Sequence, residues 1–198
     1  MAKLYFRYGA MNAGKTTALI QVAYNYEEMG MKALVMKPEI DTKGEKYIVS
    51  RIGLKRKVDV LLNKSYDLFN KNYVGISCII VDEAQFLTIE QVYDLFKIAV
   101  LKDIPVICYG LRTDFNADGF PGSSRLLELA HSIEELKTIC SCGKKATMNL
   151  RYVNNVPEFF GEQVVIDDDK KIRYESKCPK CYLELKKEYL KKQRVNKY

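Results

Sequence analysis

The sequence predicts an α/β fold: a mostly parallel sheet with helices on both faces, plus a small metal-anchored segment. Three observations carry that prediction. Gly9-Ala10-Met11-Asn12-Ala13-Gly14-Lys15-Thr16 satisfies the spacing G-x-x-x-x-G-K-[ST] at every fixed position. Apolar runs of strand length then alternate with helical patterns over the first two-thirds of the chain. Near the end, four cysteines stand in two close pairs, Cys140 with Cys142 and Cys178 with Cys181.

The 198 residues suit one domain with an appendage. We divide them into an α/β domain over 1–138, a metal-binding segment over 139–185 and a basic tail over 186–198. Hydrophobic residues make up 47 %, enough for a real core, and no apolar run reaches membrane-spanning length. The start, Met1-Ala-Lys-Leu-Tyr, lacks the apolar stretch of a signal peptide, so a cytoplasmic protein without membrane contact is expected. Of the net charge of +7, the stretch from Lys186 to Tyr198 carries +5. A charge confined to one end reads as a solvated, partly disordered tail and argues against a nucleic-acid surface.

Along the chain, Leu4-Tyr5-Phe6-Arg7-Tyr8 is β-prone and the stretch from Thr17 to about Gly30 is helical. Strand, glycine loop and helix in succession are the setting of a P-loop NTPase-like fold. Lys32 to Lys37 reads as a second strand ended by Pro38, and Glu39 to Lys57 as a long polar loop. Val58-Asp59-Val60-Leu61-Leu62 is a short strand and Tyr66-Asp67-Leu68-Phe69 a helical piece. Cys78 to Val81 is a buried strand, Ile89 to Val100 a helix, and Ile104 to Tyr109 another buried strand. Ser124 to His131 reads as a helix capped by Ser123 or Ser124, with the single histidine structural. From Cys140 on, the segments are short and polar, without a long helical period and too few to form a core of their own.

The glycine loop is a site for a nucleoside triphosphate. Its glycines let backbone N–H groups close on phosphate oxygens, and the helix that follows adds its free N–H groups and dipole. Gly9, Ala10, Met11, Asn12, Ala13, Gly14, Lys15, Thr16 and Thr17 are the nucleotide-binding residues. Lys15 brings charge to the outer phosphates, and Thr16 a hydroxyl for Mg²⁺. Asp82, after the apolar strand, stands where a second Mg²⁺ ligand belongs. Glu83 is then free to accept a proton or orient the attacking group. Gln85, in the same Asp82-Glu83-Ala84-Gln85-Phe86 stretch, is placed with the nucleotide-binding residues. Cys140, Cys142, Cys178 and Cys181 suit a closed tetrahedral Zn²⁺ site, favoured over disulfides, free thiols or redox chemistry. Such a metal pins both ends of residues 141–177 and makes them a loop able to close over a ligand.

These residues together resemble the zinc-containing, tetrameric thymidine kinases. The matching items are Gly9 to Thr17, Lys37-Pro38-Glu39-Ile40-Asp41, Asp82 to Phe86, Gly110-Leu111-Arg112-Thr113-Asp114-Phe115, and the four cysteines with Tyr174 ahead of the second pair. The resemblance implies transfer of the ATP γ-phosphate to the 5′-hydroxyl of thymidine, giving dTMP, with Glu83 as catalytic base. It implies a zinc-anchored lasso whose backbone at Val164, Val165, Ile166 and Asp167 reads the thymine edge. It also implies a thymidine pocket lined by Met11, Leu111, Phe115, Phe120 and Tyr174, a homotetramer, and dTTP as feedback inhibitor. Lys43 and Arg51 replace family residues of the polar loop, and Arg151 aligns with a family arginine; none of the three receives a role. The alternative is a nucleic-acid-stimulated P-loop ATPase with a structural zinc, against which stands the room for a single such domain.

Overall fold

The computed structural model describes residues 1–41, 46–163 and 171–195. The chain forms two compact units. Met1–Tyr8, Gly14–Arg112 and Phe120–Leu136 make the first; Gly9–Ala13, Thr113–Gly119 and the chain from Lys137 on make the second.

In the first unit the strands are β1 (Leu4–Tyr8), β2 (Ala33–Pro38), β3 (Tyr47–Val49), β4 (Lys55–Lys57), β5 (Val60–Leu62), β6 (Cys78–Val81), β7 (Val106–Gly110) and β8 (Ser132–Glu135). Its helices are α1 (Lys15–Glu28), α2 (Ile89–Leu101) and α3 (Pro121–Leu129). Six strands form one sheet in the order β5-β2-β6-β7-β1-β8, every pair parallel. Alternation along the buried strands sends side chains to both faces. Cys78 and Ile80 join Val35, Ile107 and Tyr109 under Leu19 and Ala23 of α1. Ile79 and Val81 join Leu4, Phe6 and Val106 under Val92, Leu95, Ile98 and Ala99 of α2 and Leu126 of α3. Burying one such large aliphatic side chain contributes about 1.5–3 kcal/mol, so both faces hold the strand ends firmly.

Four details differ from the sequence reading. The polar stretch 39–57 contains the β3–β4 hairpin, antiparallel from Tyr47–Lys57 to Val49–Lys55, rather than loop alone. Tyr66 to Phe69 is not helical; Leu68 is buried and its carbonyl accepts from the Tyr73 hydroxyl at 2.7 Å. Helix α3 starts earlier than expected, with Phe120 at the cap and Pro121 at the first helical position, where a missing N–H costs nothing. It ends at Leu129, and His131 instead accepts the Leu4 N–H on Nδ1 at 3.0 Å while stacking on Phe96, as a structural residue should.

The second unit holds β9 (Thr138–Ile139), β10 (Lys145–Ala146), β11 (Met148–Val153), β12 (Val156–Glu158), β13 (Ile172–Lys177) and α4 (Pro179–Val195). Strands β12, β11 and β13 form an antiparallel sheet in that order, and β9 pairs with β10. Two expectations are corrected here. Residues 186–195 are not a disordered tail but continue a 17-residue helix. Its many Lys and Glu residues are good helix formers, and Tyr182, Leu185 and Tyr189 recur at helical spacing. That stripe packs on Leu150, Tyr152 and Phe159, so the unit has a small core of its own. Among the described residues no helix is long and apolar enough to cross a membrane.

Candidate active site

In the first unit the site residues gather at the carboxyl ends of β6 and β7 and at the start of α1. Gly14 has φ +75°, a conformation that L side chains resist, and caps α1 without a side-chain bond. No side chain caps this end of α1, and a helix N-terminus is the end that suits an anion. Lys15 is buried, and its charge acts on Asp82. Asp82 follows β6 directly, its N–H donating to the Met36 carbonyl at 2.9 Å. Burial first, then the charge of Glu83, pushes the Asp82 carboxyl up to about 8; Asp41 adds to this, while a backbone N–H and Lys15 oppose it. A carboxylate held this way gains most from a cation, which is the donor chemistry of a Mg²⁺ site.

Glu83 sits at φ +47°, strained for a residue with a side chain. The Gln85 amide fixes it: Nε2 donates to Glu83 Oε2 at 2.5 Å, and Oε1 accepts the Leu111 N–H at 3.0 Å. The turn is boxed in from behind. A Cβ on Gly110 would meet Gln85 Oε1 at 2.9 Å, and one on Gly122 would meet the carbonyls of Ala84 and Leu87 at 2.7 Å. Ser123 donates to the Leu111 carbonyl at 2.5 Å, and Phe120 lies edge-on to Phe86 at 5.7 Å. Lys37, at the end of β2, is 1 % exposed and pairs with Asp41 at 3.1 Å.

In the second unit lie Gly9–Ala13, Phe115, Tyr174 and the four cysteines. Phe115 is buried, with the Arg151 guanidinium 3.5 Å from its ring centroid. Arg151 Nε donates to Glu158 at 2.5 Å and its Nη1 to the Glu162 carbonyl at 2.8 Å. The Tyr182 hydroxyl donates to the Phe115 carbonyl at 2.8 Å. The sulfurs of Cys140, Cys142, Cys178 and Cys181 all lie within 4.8 Å of one another, with Cys142 and Cys178 at 3.5 Å. Zinc–sulfur bonds of about 2.3 Å in a tetrahedron place sulfurs about 3.8 Å apart, so the cluster fits a zinc site. Burial resists ionisation of Cys140, but backbone N–H groups of Cys142 and Cys178 bring it down to about 6, while bonding from Cys142 and Cys178 holds Cys181 up at about 12.

The family model described as thymidine kinase matches residues 2–182. The thymidine kinase of Escherichia coli K12 is 49 % identical over 191 residues, covering 93 % of this chain and 92 % of its own. That of Chromobacterium violaceum is 45 % identical over 186 residues, covering 92 % of this chain and 98 % of its own. The chain belongs to the thymidine kinase family. Its six-stranded parallel sheet, P-loop and cysteine cluster are the α/β architecture with a zinc-type site that the sequence reading expects of a thymidine kinase.

Among the site residues expected in a thymidine kinase, Gly14, Lys15, Thr16 and Thr17 open α1, and Asp82, Glu83 and Gln85 form one turn after β6. Leu111 follows β7 and Phe120 precedes α3, both buried. Met11 and Phe115 are in the second unit, and Tyr174 is half-buried on β13 opposite Arg151. Val164, Val165, Ile166, Asp167 and Lys43 lie outside the described residues. Arg51 is exposed in the turn between β3 and β4. Sequence reasoning missed Asn149 and Ser176, which bond to Met11, and gave no task to Lys37 or Arg151. An arginine or lysine buried beside an aromatic or acidic partner has no sequence signature of its own.

Proposed function

We propose that this chain transfers the γ-phosphate of ATP to the 5′-hydroxyl of thymidine, giving dTMP. The observation that carries the mechanism is the turn after β6, where Glu83 is held in strained backbone by Gln85 beside the buried Asp82. Phosphoryl transfer needs an oriented acceptor and charge neutralisation more than covalent chemistry. Gly9 to Thr17 take the triphosphate on backbone N–H groups, and Lys15 draws charge from the outer phosphates. Thr16 and Asp82 are the residues that would hold Mg²⁺, which would supply positive charge to offset that of the phosphates. Glu83 accepts the proton of the 5′-hydroxyl as it attacks. The Gln85 donor keeps that carboxylate aimed, and positioning carries more of its effect than basicity.

Met11, Leu111, Phe115, Phe120 and Tyr174 are assigned to thymidine, with Val164 to Asp167 reading the base edge by main-chain bonds. An incorrect base then leaves buried groups unpaired, which discriminates strongly. Zn²⁺ on Cys140, Cys142, Cys178 and Cys181 is structural, since four thiolates leave no open position. A cytoplasmic setting, where thiols stay reduced, belongs to the same reading. So do a homotetramer and inhibition by dTTP, which joins thymine and a triphosphate in one molecule. The test is ATP turnover measured with thymidine, with single-stranded DNA and with neither. Turnover that requires thymidine and yields dTMP supports the reading; stimulation by DNA with no response to thymidine would replace it with the ATPase.

A further inference from the structure

The centre of the phosphate loop is gripped by side chains that come from outside the loop. The Met11 N–H donates to Asn149 Oδ1 at 2.8 Å, and the Ser176 hydroxyl donates to the Met11 carbonyl. Asn149 and Ser176 are direct register partners across β11 and β13. One cross-strand pair therefore takes both backbone polar groups of a single loop residue. Asn149 is 3 % exposed, and its Nδ2 donates onward to the Thr113 carbonyl at 2.8 Å. Donor and acceptor ends of the amide are thus both used, and only one amide orientation satisfies the two partners. Thr138 Oγ1 adds a long contact of 3.5 Å to the Asn12 carbonyl.

The loop needs such help. Asn12 has φ +65°, a left-handed conformation that costs a residue with a side chain, so the shape that turns N–H groups inward is not one the free backbone prefers. A loop that relaxes when empty must be reordered by each incoming triphosphate, and that cost appears as lost affinity. We propose that Asn149 and Ser176 are positioning residues for ATP: they hold the Met11 backbone in the phosphate-binding shape before the nucleotide arrives. This rests on the reading of Gly9 to Thr16 as the ATP phosphate site. Neither residue is catalytic; both act through the backbone of Met11.

The test uses the full chain with Asn149→Ala, Ser176→Ala and Ser176→Thr. ATP affinity is measured by calorimetry, and KM and kcat by turnover with thymidine. Asn149→Ala leaves a backbone N–H and a carbonyl without partners and is expected to weaken ATP binding about tenfold. Ser176→Ala is expected to weaken it about threefold, with recovery in Ser176→Thr, which keeps the hydroxyl. Because the lost interaction holds in ground and transition states alike, KM for ATP should rise with kcat at saturation little changed. A purely structural role would lower the melting temperature and the active fraction without moving ATP affinity. Should Asn149→Ala fail to fold, Ser176→Ala against Ser176→Thr carries the test alone. ATP affinity within about twofold of the parent in the alanine variants overturns the positioning role while leaving the kinase reading intact. A parent chain that binds no ATP and makes no dTMP overturns both.

Discussion

Each of the two units of this chain has an interior held by different physics. In the first, every central strand is covered on both faces, and α1, α2 and α3 each contribute to one of two apolar clusters. Burial is non-directional and shared among many side chains, so the strand ends keep their place when one contact is lost. The second unit has a small cluster around Leu150, Tyr152, Phe159 and Tyr182, and beyond it relies on directional ties. Arg151 between Phe115 and Glu158, Asn149 between Met11 and Thr113, and the four thiols are such ties. The densely packed unit carries Asp82 and Glu83, the residues assigned to charge that must be placed to a fraction of an ångström. The unit held by ties carries Phe115 and Tyr174, assigned to a substrate that must be admitted and released.

Metal removal is the largest way to break that comparison. Structural zinc contributes on the order of 10 kcal/mol in small metal domains, far more than the Tyr182 cluster alone can supply. With a chelator, or in Cys178→Ser, hydrogen exchange should become fast in β9 to β13 while β1, β6 and β7 stay protected. KM for thymidine should rise more than KM for ATP. Equal loss of protection in both units would show that they share one stabilising core, and an unchanged thymidine KM would make the metal incidental to the substrate.

Glu83→Gln is next in size and sharpens the contrast from the other side. The turn that holds Glu83 is fixed by packing and by Gln85, so the variant should fold and bind ATP as the parent does. Turnover should fall about 10²–10⁴-fold, the range for losing a positioned general base. Single-turnover kinetics with saturating ATP and thymidine measures it, and a rate within about tenfold of the parent removes Glu83 from the base role.

The same contrast explains what the sequence made legible. Glycine and cysteine spacings, and apolar runs of strand and helix length, are local signals, and they located the P-loop, β6, β7, α2 and the cysteine cluster. Strand β8 was missed because Ser132–Glu135 is an exposed edge strand with two acidic residues and no alternation to read. The long helix α4 was missed because its apolar stripe is thin among lysines and becomes meaningful only against Phe159. Asn149 and Ser176 depend on Met11, far away in sequence, and Arg151 on the ring of Phe115, which no spacing encodes. Apart from the four cysteines, the ties of the second unit were therefore the least legible part of the candidate site, and the first unit's frame the most.

The smallest effect separates the units most finely. Thr88 caps α2 with a reciprocal box: its Oγ1 accepts the Gln91 N–H and its own N–H donates to Gln91 Oε1, each at 3.1 Å. Gln91 Nε2 then donates to the Asn63 carbonyl at 2.7 Å. Thr88→Ala should cost about 1 kcal/mol and lower the melting temperature by about 2–4 °C. Because α2 is also held by Val92, Leu95, Ile98 and Ala99, that loss should stay local and leave both KM values at the parent level. Ser176→Ala removes one hydroxyl bond as well, yet there the expected change is in ATP affinity. If Thr88→Ala moved KM for ATP as far as Ser176→Ala does, polar ties would matter alike in both units. A change confined to melting temperature means that a buried apolar frame absorbs the loss of a tie, whereas a loop held by ties passes the loss on to its ligand.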